Sequence, residues 1–155
     1  MKNADEWFRE YGESHQNPVN KALHWICVPA IVFSLVGLLW ALPVPAAFAD
    51  VSPWLNWGTL FVAAAMIWYL LLSWPLALGM VMVSALVVWG NFMLAELDTP
   101  LWQIALAIFV IAWIGQFIGH KIEGRKPSFF KDIQFLLIGP VWLLGFIYRK
   151  AGIRY

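Results

Sequence analysis

The chain has 155 residues; 62% come from the set Ala, Val, Ile, Leu, Met, Phe, Trp, Tyr and Cys, and only 12% are charged, against about 45–50% apolar and about 25% charged in a soluble domain. Ten Lys and Arg oppose nine Asp and Glu, for a net charge of +1, which excludes a basic nucleic-acid binder and an acidic disordered tail. The single cysteine, Cys27, excludes an intramolecular disulfide framework and a Cys-rich metal site.

The polar start, 1–21, has no apolar run of the kind a signal peptide needs. Ala4, Trp7, Phe8 and Tyr11 share one face at helical spacing, so an amphipathic helix lying on the membrane interface is expected here. Asn17 followed by Pro18 reads as a helix start, Asn at the N-cap and Pro at the first helical position. Four charge-free gaps follow, at 22–49, 51–95, 99–120 and 133–148. A helix crossing the hydrocarbon needs about 20 mostly apolar residues. The first gap holds one span, near 24–42. The second holds two, near 54–72 and 75–95, divided at Ser73-Trp74-Pro75. The third holds a span near 100–119. The last gap, 133–148, is short and contains Gly139-Pro140 and Gly145, so a re-entrant or interfacial helix is expected there.

The predicted fold is all-α: one integral membrane domain over 1–155, with four transmembrane helices, an N-terminal amphipathic helix and a C-terminal re-entrant or interfacial helix. Four crossings put all ten basic residues on one side. Cytoplasmic loops collect Lys and Arg, so both termini are expected in the cytoplasm, with the inner membrane of a bacterium as the setting. Trp25, Trp54, Trp74 and Trp102 fall at predicted interfaces.

The same topology gathers the three histidines. His15 and His24 flank the start of the first span, and a chain break at Asn17-Pro18 lets His15 fold back toward the face of Asn20 and His24. Gln116, His120 and Glu123 form one stripe at the end of the fourth span. Three imidazoles with a carboxylate nearby suit Zn(II), Fe(II) or Mn(II). Gly115 and Gly119 give a GxxxG spacing, which allows close helix approach and leaves a homodimer possible. Cys27 reads as a packing residue. Glu123 is open between metal ligand, partner of a histidine and ion pair with Arg125 or Lys126.

Tyr11, His15, Asn17, Asn20, His24 and Pro29, with the later block Gln116-Phe117-Ile118-Gly119-His120, Glu123 and Pro127, resemble the two motif blocks of the 2-hydroxy fatty acid dioxygenase family of fatty-acid α-oxidation. The resemblance covers essentially the whole chain. It implies Fe(II)-dependent oxidation of a long-chain 2-hydroxy fatty acid by O2, giving an acid one carbon shorter. The motif histidines match His15, His24 and His120 as metal ligands, with Glu123 as a further candidate catalytic residue. Asn17, Asn20 and Gln116 are candidates for orienting imidazole N–H groups. Lys121 and Arg125 are candidates for steering the substrate carboxylate. Two other classes compete: a Zn(II)-dependent membrane lipid hydrolase and a non-enzymatic helical membrane adaptor. The centres of the spans carry no charge and no histidine, which argues against an ion-coupled carrier.

Overall fold

The computed structural model describes residues 2–52, 54–124 and 129–155, and every regular element among them is helical. The first helix, α1 (Ala4–Gly12), opens with a capping box: Asn3 Oδ1 accepts from the Glu6 N–H, and Glu6 Oε2 accepts from the Asn3 N–H, both at 2.9 Å. Next comes α2 (Pro18–Trp40), capped by Asn17 with Pro18 in its first turn. It begins well before the apolar span 24–42, because the Asn17 cap and Pro18 set its start, and it carries the polar Asn20 fully buried. After the short α3 (Ala46–Val51), α4 (Trp57–Leu72) starts three residues later than the expected span, since Asn56 takes the N-cap and closes a capping box with Thr59. Ser73 ends α4 and caps α5 (Trp74–Ala95), with Pro75 in the first turn, so the expected break falls there. α6 (Leu101–Glu123) ends at Gly124, whose φ of 72° is the left-handed conformation that glycine adopts most readily.

Three of these helices, α2, α5 and α6, are long and apolar enough to cross a membrane. α4 has 16 residues, about 24 Å at 1.5 Å per residue. Their outward faces stay apolar: Ile26, Ile67, Met82, Trp89 and Ile111 are all exposed, an apolar surface of the kind that marks contact with a membrane. Trp25, Trp54, Trp74 and Trp102 are exposed as well.

The last helix, α7 (Phe129–Lys150), is longer at both ends than the apolar run 133–148, and Pro140 sits within it. It packs on the ends of the bundle that carry the histidines. The Tyr69 hydroxyl donates to the Leu137 carbonyl at 2.8 Å, and the Tyr148 hydroxyl donates to the Pro75 carbonyl at 2.9 Å. α7 also covers α1. Phe8 lies over Gly145, and the Tyr11 ring stands 5.2 Å from Phe135 and 5.0 Å from Trp142. The apolar stripe of α1, expected to lie on the membrane interface, is therefore buried against protein: α7 offers it a glycine gap and an aromatic wall.

α2 packs most extensively on α6. Gly115 and Gly119 make the close approach: an added Cβ would overlap Cys27 Sγ at Gly115 and Asn20 Oδ1 at Gly119. The GxxxG face is thus occupied by α2 of the same chain, and Cys27 is a buried packing residue. Gly119→Ala is expected to lower stability by about 1–3 kcal/mol through overpacking, read as a fall in melting temperature in detergent. Asn91, also fully buried, ties α5 to α2 by donating from Nδ2 to the Phe33 carbonyl at 3.1 Å and to the Val87 carbonyl of its own helix at 2.9 Å.

Candidate metal centre

Three separate elements bring the histidines together. His15 comes from the connection between α1 and α2, His24 from the early part of α2, and His120 from the last turn of α6. One ring nitrogen from each lies within 4.8 Å of the others, and all three residues are buried. The ring centroids are 4.2 Å apart for His15 and His24, 5.4 Å for His15 and His120, and 5.3 Å for His24 and His120.

Hydrogen bonds assign the protons on two of the rings. His15 Nδ1 is 2.6 Å from the Tyr11 carbonyl oxygen, and His24 Nδ1 is 2.8 Å from the Asn20 carbonyl oxygen. A carbonyl only accepts, so each Nδ1 carries the hydrogen and each neutral ring presents a lone pair at Nε2. Those two Nε2 atoms face one another at 2.8 Å. Two lone pairs at that distance repel unless a cation lies against both. Two nitrogens bound at right angles to a first-row metal at about 2.1 Å stand about 3 Å apart, so the spacing fits a shared metal. His120 adds a third donor, and its Nδ1 is buried without a hydrogen-bond partner. A backbone carbonyl behind each of two ligating imidazoles is the arrangement that fixes ring tautomer and raises ligand basicity.

Burial pushes the His15 imidazole down to about pKa 4, the Tyr11 carbonyl partly opposing this. The folded protein therefore holds His15 neutral over a range where the unfolded chain protonates it. Stability from this group is complete above pH 6.5 and is lost as pH falls toward 4. The metal-free protein is expected to show a melting temperature that declines across that window.

Glu123 does not join the cluster. Its Oε1 accepts from the Gln16 N–H at 2.8 Å; its Oε2 accepts from the Asn17 N–H at 2.9 Å and from Asn20 Nδ2 at 3.0 Å. The carboxylate sits at the N-terminus of α2, where the helix dipole favours a negative charge. It ties the end of α6 to the residues joining His15 to His24. Among the described residues no carboxylate stands with the three nitrogens.

The other residues expected at the site divide. Asn17 is a helix cap, accepting from the Val19 N–H at 2.9 Å and the Asn20 N–H at 3.4 Å. Asn20 supports His24 through its backbone carbonyl and Glu123 through its side chain. Gln116 lines the cavity beside His120, and its Oε1 is buried without a partner. Lys121 is exposed and does not line the cavity. Arg125, Lys126 and Pro127 lie outside the described residues.

The cavity, about 50 Å³, is walled by Tyr11, Val28, Ile31, Trp113, Phe135 and Leu136 around the histidines and Gln116. Tyr11 stacks on His15 with ring centroids 4.2 Å apart, and Trp142 stands 5.5 Å from the same histidine. The sequence reading assigned no site role to Tyr11, Trp113, Phe135, Leu136 or Trp142. Tyr11 lies four residues before His15, and Trp113 lies on the stripe of Gln116 and His120, so helical spacing could have found both. The three residues of α7 reach the site through tertiary packing.

Comparison with known proteins agrees with this geometry. Residues 1–151 match the family described as 2-hydroxy-palmitic acid dioxygenase Mpo1-like. The chain is 30% identical over 141 residues to the 2-hydroxy-palmitic acid dioxygenase MPO1 of Saccharomyces cerevisiae, an alignment covering 89% of this chain and 75% of the yeast protein. No solved structure matches. With two buried Nε2 lone pairs turned on one another and the family match running nearly end to end, the chain belongs to the Mpo1-like family of 2-hydroxy-palmitic acid dioxygenases.

Proposed function

We propose that the protein is an Fe(II)-dependent dioxygenase that shortens long-chain 2-hydroxy fatty acids by one carbon at the cytoplasmic face of a bacterial inner membrane. The observation that carries this reading is the 2.8 Å approach of His15 Nε2 to His24 Nε2, in a chain whose family is named for such a reaction. The balanced reaction takes one 2-hydroxy acid and one O2 to the acid one carbon shorter, CO2 and water.

His15, His24 and His120 would hold the iron, which when bound supplies the one-electron chemistry that O2 requires and accepts hard oxygen donors beside imidazole. The protein's own groups do the rest. The Tyr11 and Asn20 carbonyls hold two rings in the tautomer that offers Nε2. Glu123 keeps the His15 segment against the end of α6. Tyr11, Trp113, Phe135 and Trp142 surround the centre with aromatic surface and limit water. A water needs about 10–15 Å³ of such space, so a cavity of about 50 Å³ takes the head of the substrate and not its tail. Leu136 also lines a second, mostly apolar cavity of about 30 Å³ between α2, α4, α5 and α7. We assign the proximal part of the alkyl chain to that side, with the remainder among the apolar helix faces.

In this reading α2, α4, α5 and α6 cross the bilayer, the metal centre lies at their cytoplasmic ends, and α1 and α7 cover it there. The test is to purify the protein anaerobically in detergent, measure bound iron, and follow O2 uptake and CO2 release on 2-hydroxypalmitate. One O2 consumed and one CO2 released per acid, dependent on iron, is expected. Zinc-dependent turnover without O2 would replace the reading with a hydrolase.

A further inference from the structure

Six buried side-chain polar atoms among the described residues have no hydrogen-bond partner. Two of them, Asn20 Oδ1 and Asn91 Oδ1, rest against Gly119 and Gly37, where a glycine Cα–H is a weak donor. Trp7 Nε1 belongs to α1. The other three, Trp113 Nε1, Gln116 Oε1 and His120 Nδ1, fall on one stripe of α6 and belong to side chains that line the histidine cavity. Spacing of three and four residues places them on a single helix face. Gln116 is 6% exposed, so water outside the protein does not satisfy it.

The chemistry of the first two atoms is complementary. An indole N–H only donates, and an amide oxygen only accepts. A 2-hydroxy acid offers the matching groups on adjacent carbons: a carboxylate that only accepts and a hydroxyl able to donate. We infer that Trp113 and Gln116 read the substrate's head group, Trp113 Nε1 donating to a carboxylate oxygen and Gln116 Oε1 accepting from the 2-hydroxyl. This rests on the substrate class proposed above. It moves recognition of the carboxylate from the exposed Lys121 to the buried N–H of a partly buried indole, and it makes Gln116 the residue that separates a 2-hydroxy acid from a plain fatty acid. A site built to bond a hydroxyl rejects the analogue that lacks it, because its own buried group is then left unpaired.

The test is calorimetric binding to the purified protein in detergent under argon, where no turnover occurs, with 2-hydroxypalmitate and palmitate as probes. The wild-type protein is expected to bind 2-hydroxypalmitate more tightly. Gln116→Leu should weaken 2-hydroxypalmitate about tenfold and bind palmitate at least as tightly as the wild type does, because no buried acceptor is then left unpaired, which removes the discrimination. Trp113→Phe keeps the ring and should weaken both acids alike, also about tenfold. Gln116→Asn should restore part of the preference. Neither atom has a protein partner, so Gln116→Leu should melt no lower than the wild type, and Trp113→Phe should lose only the packing of the larger ring against Phe109 and Phe117. Discrimination that survives Gln116→Leu overturns the pair alone, as does unchanged binding in both variants, which would leave the cavity to water. Wild-type protein that binds the two acids equally overturns the substrate class, and the pair with it.

Discussion

His24→Ala is expected to abolish metal binding and to lower oxidative turnover by about a thousandfold or more. His24 is 1% exposed and supplies one of the three converging nitrogens, so its loss leaves two nitrogens and no closed set. Changes to groups that merely support a ligand cost about 10–100-fold in affinity or activity; loss of the ligand itself should exceed that. The metal content of the purified variant, compared with wild type prepared identically, checks the first half. O2 uptake checks the second, and a thermal shift tests metal binding once more without turnover: a metal at 100 times its Kd stabilises a folded protein by about 2.7 kcal/mol, and this increment should vanish in the variant. His15→Ala and His120→Ala should behave alike. The metal-free His24→Ala protein should lose less stability than its volume change suggests, because it also loses the repulsion between facing Nε2 lone pairs. Wild-type metal content in the variant would exclude His24 as a ligand.

Glu123 should show a graded series. Glu123→Ala removes the acceptor for two backbone N–H groups and one amide, all within 3.0 Å. Charge-assisted bonds are the strong ones, but the carboxylate is partly exposed to water, so a stability loss of about 2 kcal/mol is expected rather than the sum of three buried bonds. Activity should fall about 10–100-fold, the range for a group that supports ligands without touching the metal. Glu123→Gln retains one acceptor oxygen and should recover part of both. Glu123→Asp is one methylene shorter, cannot span the same three donors, and should resemble alanine. Metal content should persist through the series at saturating metal, while the concentration needed for loading rises. A Glu123→Ala protein with unaltered melting and loading would show that the clamp has no mechanical role.

What was legible in the chain was what local chemistry writes there. Asn17-Pro18 marks a helix start because capping is a matter of adjacent residues. The Ser73-Trp74-Pro75 break is legible for the same reason. The convergence of His15, His24 and His120 followed from the placement of charge, which sorts loops to one side and takes the nearby histidines with them. The target of Glu123 was not legible. Its neighbours Arg125 and Lys126 suggested a surface pair, whereas its bonds go to residues more than a hundred positions earlier. The docking of α1 was hidden likewise: an apolar stripe reads the same whether lipid or another helix covers it, and only the Gly145 gap in α7 decides between them. Gly115 and Gly119 announced a close approach but not the identity of the partner helix.

The donors of the centre are far apart in the order of synthesis. His15 and His24 leave the ribosome early, and the ring that completes the set follows almost a hundred residues later, with the wall from α7 last. Until then the nascent chain displays two imidazoles alone, a pair that binds copper or zinc more readily than iron by the general order of divalent affinities. Late arrival of His120, fastened through Glu123, would make metal selection a property of the finished protein under the proposed function. In the proposed reading, iron content would therefore double as a measure of how many molecules have completed assembly.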